Sequence, residues 1–221
     1  MLCDYAATTT SHVAVDPSIL YFGTPVVLIT TRNEDGSDNI MPMSSVFWLG
    51  HTVVLGFGTR SQTAANLALE GELVLNLPSV DMVSAVDRLA LTTGRDPVPA
   101  GKAAVGYQHV KDKFAWAGLT RMPAVTVSAP RIQECPVHLE ARVNEIHLLE
   151  RANPAEAGSS VAIEARVTAV WVEPSIRLAG HANRIDPDRW RPLIMSFQQF
   201  YGLGGQVQPS RLSTIDEEWY R

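Results

Sequence analysis

The residues best suited to chemistry lie together in the stretch Val53-Val54-Leu55-Gly56-Phe57-Gly58-Thr59-Arg60-Ser61-Gln62-Thr63. An extended, β-branched run passes through two glycines into good helix formers that open with Arg60, Ser61 and Thr63. The first turn of a helix leaves backbone N–H groups without partners, and the positive end of its dipole attracts negative charge. Hydroxyls and a guanidinium beside that turn add charge-assisted donors, which is what a phosphate group requires. The same residues read equally well as a glycine turn and a serine cap that bind nothing. Both readings stand at this level.

Competing chemistries find less support. Gly56-x-Gly58-x-x-Ser61 has the outline of a dinucleotide fingerprint, but that motif needs a parallel strand–helix–strand unit and an acidic residue ending the next strand. Here the preceding segments form an antiparallel hairpin, and the next strand ends in Asn76-Leu77-Pro78-Ser79. The six histidines include no HExxH and no close pair suited to zinc, so no metal site is expected. There is no GxSxG elbow, and Gly101-Lys102 lacks the upstream glycine of a P-loop. Glu140 and Glu164 fall on the polar faces of strands, where solvated carboxylates are expected. No catalytic side chain is assigned.

The elements that must position the Gly56–Thr63 stretch are mostly strands. Pro25 to Thr31 is a β-branched run closed by Asn33-Glu34-Asp35-Gly36-Ser37, whose Asp-Gly pair suits positive φ and marks a hairpin. Residues 39–47 form the returning strand, with Pro42 at a bulge or an edge because proline has no ladder donor. Residues 51–57 form a third strand. Ser61 caps a helix that stops at Gly71, and residues 72–77 are again extended. Ser79 is expected to cap a second helix with Met82, Val83, Val86, Leu89 and Ala90 on one face. Residues 92–120 are rich in Gly and Pro, with one short helical turn near 111–116. Val137, Leu139, Ala141 and Val143 alternate with polar residues, and Val161 to Trp171 repeats the pattern. Many antiparallel strands with few helices give a mainly β (α+β) barrel.

Composition narrows the class further. The 221 residues, 46% of them apolar and 19% charged, can build one large domain with an ordinary core. A formal charge of −5 offers no basic face for nucleic acid. No apolar run approaches the ~20 residues of a membrane span, and the start has no signal-peptide pattern. Cys3 and Cys135 lie outside any CxxC motif. A soluble, reduced, cytoplasmic chain without nucleic-acid or membrane partners is expected.

Several segments, taken in order, resemble the flavin reductase-like, FMN-binding split-barrel family. They are Pro25-Val26-Val27-Leu28-Ile29-Thr30-Thr31, Asp35-Gly36, Asn39-Ile40-Met41-Pro42-Met43-Ser44-Ser45 and Arg60-Ser61-Gln62-Thr63-Ala64-Ala65-Asn66-Leu67. Glu72-Leu73-Val74-Leu75-Asn76-Leu77, Ala117-Gly118-Leu119-Thr120 and Ala129 to Glu140 continue the match, which runs from about residue 20 to beyond residue 172. The resemblance implies a six-stranded Greek-key split β-barrel over residues 20–175. An N-terminal extension at 1–19 would precede it, and a C-terminal segment at 176–221 would pack on the barrel or the dimer partner. It also implies a homodimer with FMN near the subunit interface. Met43, Ser44, Ser45 and Val46 would line the flavin ring. Thr59, Arg60, Ser61, Thr63 and Asn66 would hold the ribityl phosphate, with Asn76, Leu77 and Pro78 approaching the ring. Residues 113–118 and 201–204 would close the site.

The activity so implied is that of an FMN-dependent oxidoreductase of the flavin reductase type, taking hydride from NADH or NADPH. Many members that use a nicotinamide carry a Gly-Asp-His segment with a second Gly a few residues on. This chain reads Gly158-Ser159-Ser160 there, with Ala165 in place of that glycine. The departure keeps two further readings open. One is a flavoredoxin-like electron-transfer protein with a redox partner protein; the other is an FMN-dependent enzyme acting on a dedicated organic substrate.

Overall fold

The structure, a computed structural model, describes residues 12–220; Cys3 and the start of the chain lie outside them. After a short strand β1 (Phe22–Pro25), β2 (Val27–Arg32) and β3 (Asp38–Met43) form the expected hairpin. Gly36 takes a φ of 79° in its turn, which a residue with a Cβ adopts only under strain. β4 (Val46–Leu49) continues β3 after a break at Ser44–Ser45, and β5 (Thr52–Gly58) folds back on it. α1 (Gln62–Glu70) follows, then β6 (Glu72–Leu77) and α2 (Val83–Leu89).

The stretch that is Gly- and Pro-rich in sequence does hold structure. It contains β7 (Thr92–Thr93), α3 (Ala100–Ala103), β8 (Gln108–His109) and α4 (Lys113–Ala117). β9 (Arg121–Met122) pairs with β10 (Arg131–Ile132). Two long strands, β11 (Val137–Leu148) and β12 (Ser160–Val172), precede the hairpin of β13 (Leu193–Ser196) and β14 (Gln199–Gly202).

Seven of these strands make one antiparallel sheet in the order β3-β2-β6-β11-β12-β5-β4. Its two edges, β3 and β4, are consecutive pieces of the single stretch Asp38–Leu49. One bent strand therefore supplies both edges and curls the sheet into a barrel split at Ser44–Ser45. Counted as one, the bent strand makes the barrel six-stranded. Pro42 pairs with Leu28 on the edge strand β3, where its missing N–H removes no internal ladder bond.

β2 is buried along nearly its whole length because both faces are covered. Val27 and Ile29 point into the barrel with Val53, Leu55, Leu75 and Ile163. Leu28 faces a second cluster with Val86, Leu89, Phe114 and Ile132, so α2 and α4 pack against the outside of β2 and β3. α1 adds Ala64 and Leu67 to the first cluster. Its caps are those expected: the Ser61 hydroxyl accepts from the Ala64 N–H, and Gly71 closes the helix at φ 65°.

Two local expectations change. Ser79 makes no side-chain cap; a 3-10 turn at Val80–Met82 leads into α2, and Ala90 lies exposed past its end. Glu140 is not solvated but wholly buried, and His138 on the same face is buried as well. The loop after β9 folds over them. Glu140 accepts from the N–H groups of Val125 and Thr126, the Thr126 hydroxyl and the Trp171 indole N–H. Burial alone would raise its pKa, but these donors to the charged form outweigh burial and hold it below the usual carboxylate range. Among the described residues no helix is long and apolar enough to cross a membrane.

Candidate functional site

The break in the bent strand opens a cleft of about 550 Å³. Met43, Ser44 and Ser45 form one wall, Gly56 of β5 another, and Tyr107 and Gln198 reach in from distant segments. Gly56 lets β5 approach closely: its N–H donates to the Ser45 carbonyl at 2.9 Å, and a Cβ there would stand 3.1 Å from Ser45 Cβ. Val86, Leu91 and Phe200 give the cleft apolar surface, while the Tyr21 and Ser45 hydroxyls, 3.0 Å apart, give it polar points. Its size is in the ordinary range for an organic ligand.

Met41, Pro42, Ala90 and Tyr107 line both this cleft and a polar recess of about 70 Å³ at the N-terminus of α1. The recess has room for a group the size of roughly two waters. Thr63 Oγ1 accepts from the Asn39 amide at 2.9 Å, which leaves its own proton free to donate. Lys113 is 4% exposed, and its Nζ donates to Asn39 Oδ1 at 3.0 Å and the Ile40 carbonyl at 2.8 Å. Burial, helped by the charge of Lys102, pulls its pKa down to about 7. Lys102, which also lines the recess, is lowered too, by burial and then by Arg95. Arg95 donates to the carbonyls of Arg60 and Ser61.

Among the described residues none of these three cations has a carboxylate partner. A buried cation with only neutral acceptors costs free energy, and one enclosed beside a helix N-terminus fits a ligand that brings the missing negative charge. An apolar slot ending in such a recess suits a flat ring that carries a phosphate on a short chain.

The sequence-derived residues divide on this geometry. Met43, Ser44 and Ser45 line the large cleft, and Ser61 and Thr63 line the recess. Thr59 and Arg60 flank them; the Thr59 hydroxyl donates to the Gly158 and Ser159 carbonyls, and Arg60 is exposed. Val46 faces the barrel interior. The Asn66 amide is spent on Thr31 and Asn33. Asn76, wholly buried, donates to the Leu28 carbonyl and accepts from the Ile132 N–H. Leu77 lines a groove elsewhere, and the Pro78 carbonyl accepts from the Leu193 N–H.

Sequence reasoning missed Lys102 and Tyr107. Both come from the Gly- and Pro-rich stretch, where no local pattern marks a residue that a fold brings back over a helix.

Comparison with known proteins agrees with this architecture. The model of the family described as "Flavin reductase like domain" matches residues 19–204. An uncharacterized protein of Bacillus subtilis (strain 168), YdfE, is 39% identical over 193 residues, covering 87% of this chain and 90% of its own. Flavoredoxin of Desulfovibrio vulgaris (Miyazaki F) superposes with a TM-score of 0.72 at 19% identity, over 93% of this chain and 100% of that one. Nitrilotriacetate monooxygenase component B from Bacillus cereus gives 0.71 at 17% identity, over 91% and 100%. With a barrel split beside an apolar cleft and a family match spanning that cleft from β1 to β14, the chain belongs to the flavin reductase-like family.

Proposed function

We propose that this chain binds FMN, with the ring in the large cleft and the phosphate in the recess, and works as an oxidoreductase of the flavin reductase type. The observation that carries the reading is the set of Lys102, Lys113 and Arg95, cations without carboxylate partners gathered at one end of an apolar slot. A bound flavin supplies hydride and electron transfer, so the protein needs to provide position, dryness and electrostatics. Ser61, Thr63, Lys102 and Lys113 donate to the phosphate. Met43, Ser44 and Ser45 set the plane of the ring, and Val86, Leu91 and Phe200 keep water from one side of it. NADH or NADPH is the proposed hydride donor.

One observation favours a second reading. The loop Gly158-Ser159-Ser160 lies against Thr59, whose N–H donates to the Ser159 carbonyl at 3.0 Å. That loop is beside the site and carries no imidazole. His138 cannot stand in, because it is buried with its Nε2 2.8 Å from the Ile132 carbonyl. A flavoredoxin-like protein that takes electrons from a protein partner would need no such group.

The test is direct. Protein mixed with micromolar FMN and passed over a gel-filtration column is expected to carry flavin absorbance with it. Flavin eluting wholly apart from the protein overturns the proposal. Stopped-flow mixing of the loaded protein with NADH then separates the two readings: rapid bleaching supports a nicotinamide donor, and its absence supports a protein one.

A further inference from the structure

The ring cleft and the recess divide their charges unequally. Lys102 and Lys113 line the recess, whereas the lining of the cleft includes one charged residue, Asp87 of α2. Asp87 is exposed and enters no ion pair among the described residues. A phosphate gains nothing from a carboxylate, and an uncharged flat ring does not need one to be held. At the solvent edge of the cleft that charge repels anions and leaves neutral molecules unaffected.

The other polar groups of the cleft are neutral. The Tyr21 and Ser45 hydroxyls stand 3.0 Å apart. In such a pair one proton lies between the oxygens and the other stays free to donate. The side-chain amide of Gln198 makes no hydrogen bond among the described residues, so its N–H groups are free as well. Val26, Leu91 and Met195 set apolar surface around these donors. The cleft therefore offers neutral donors, apolar walls and a single negative charge. A flat molecule with carbonyl oxygens and no net charge matches all three. One that adds a carboxylate or sulfonate matches the first two and is opposed by Asp87.

We propose that the cleft passes electrons from its flavin to an uncharged quinone, and that Asp87 selects against anionic acceptors of the same shape. The inference rests on the flavin reading above. The quinone lies offset over the ring, as aromatic plates prefer, and its carbonyl oxygens accept from Tyr21 and Gln198. It takes two electrons and one proton, as hydride, from reduced FMN and a second proton from water, which gives the hydroquinone and oxidised FMN. Asp87 acts through charge alone and is exposed, so the selection weakens as salt screens it.

The experiment compares naphthoquinone with naphthoquinone sulfonate on FMN-loaded protein. Binding to the oxidised form, where no electrons pass, is read from the flavin difference spectrum; reoxidation of the dithionite-reduced form is followed by stopped flow. Both are repeated with Asp87→Asn and Asp87→Lys, and unchanged FMN affinity shows that the variants are folded. The wild type is expected to bind naphthoquinone about ten-fold more tightly than the sulfonate, a gap that Asp87→Asn narrows and Asp87→Lys narrows further. The variant-to-wild-type ratio of reoxidation rates should rise for the sulfonate and stay near unity for the neutral quinone, a comparison that cancels their different potentials. Equal binding of the two acceptors by the wild type, a gap that both variants leave unchanged, or binding of neither acceptor overturns the proposal and leaves the flavin site intact. Failure to retain FMN overturns the flavin reading, and this one with it.

Discussion

Lys113 holds its ammonium among protein atoms with two neutral oxygens as acceptors. Burial and the nearby Lys102 bring its pKa from 10.5 to about 7. Between pH 7 and about 10 the unfolded chain therefore binds more protons at this residue than the folded one, and the ligand-free protein gains stability as pH rises through that window. A phosphate reverses the preference by favouring the charged lysine. FMN affinity is thus expected to fall from pH 7 to pH 9, by up to about ten-fold per pH unit, while riboflavin, lacking the phosphate, binds with a flat profile. Lys113→Met removes the charge: the ligand-free protein should melt higher at pH 6, and the slope with FMN should vanish. Thermal melts and fluorescence titrations at a few pH values check both parts. Glu140 shows the opposite solution, a buried carboxylate fully supplied with donors and with nothing left to offer a ligand.

Among the elements, the hairpin of β13 and β14 turns through Phe197 at φ 44° and Gln198 at φ 65°, left-handed positions held without glycine. Each costs about 1–2 kcal/mol relative to ordinary backbone. Phe197 packs edge-on to Phe22 with ring centroids 4.7 Å apart, and its N–H donates to the Tyr21 carbonyl, so the tip is held in place. The turn delivers the Gln198 amide to the ring cleft. Gln198→Gly should stabilise the ligand-free protein by about 1 kcal/mol and weaken flavin binding. A melt and a titration on the same variant measure both; an unchanged flavin affinity would show that the side chain takes no part. Nothing local in sequence announced this tip, whereas the Asp35-Gly36 turn and the Ser61 and Gly71 caps were legible because their causes lie within a few residues. The Ser61 and Thr63 half of the recess was readable for the same reason. Lys113 was not a readable ligand, since its partner Asn39 is 74 residues away. Glu140 was misread because strand alternation describes one sheet face and not the loop that later covers it.

For the whole molecule, we propose the homodimer that the family resemblance implies, with its contact on the end of β11 and β12 opposite the face that carries Glu140 and His138. Trp48, Leu77, Leu139, Val170 and Trp190 line an apolar groove of about 620 Å³ there, and Val170 is half exposed. Light scattering at micromolar concentration should give about twice the 24.1 kDa of the chain, and Val170→Asp should shift it toward that of the monomer. The closed barrel also sets a schedule for its own formation. β2 and β3, and likewise β4 and β5, are neighbours in sequence and can pair at once, but the seam between β5 and β12 must wait, as the contact of Thr59 with Ser159 spans 100 residues. Joining such distant segments pays a large entropy cost before any contact rewards it, which places folding in the slow, millisecond-to-second range. The wall that Gly56 contributes to the cleft forms with the local β4–β5 hairpin, and the barrel around it closes when β12 joins β5. A flavin held across the closed barrel would slow its reopening and so prolong the life of the native state.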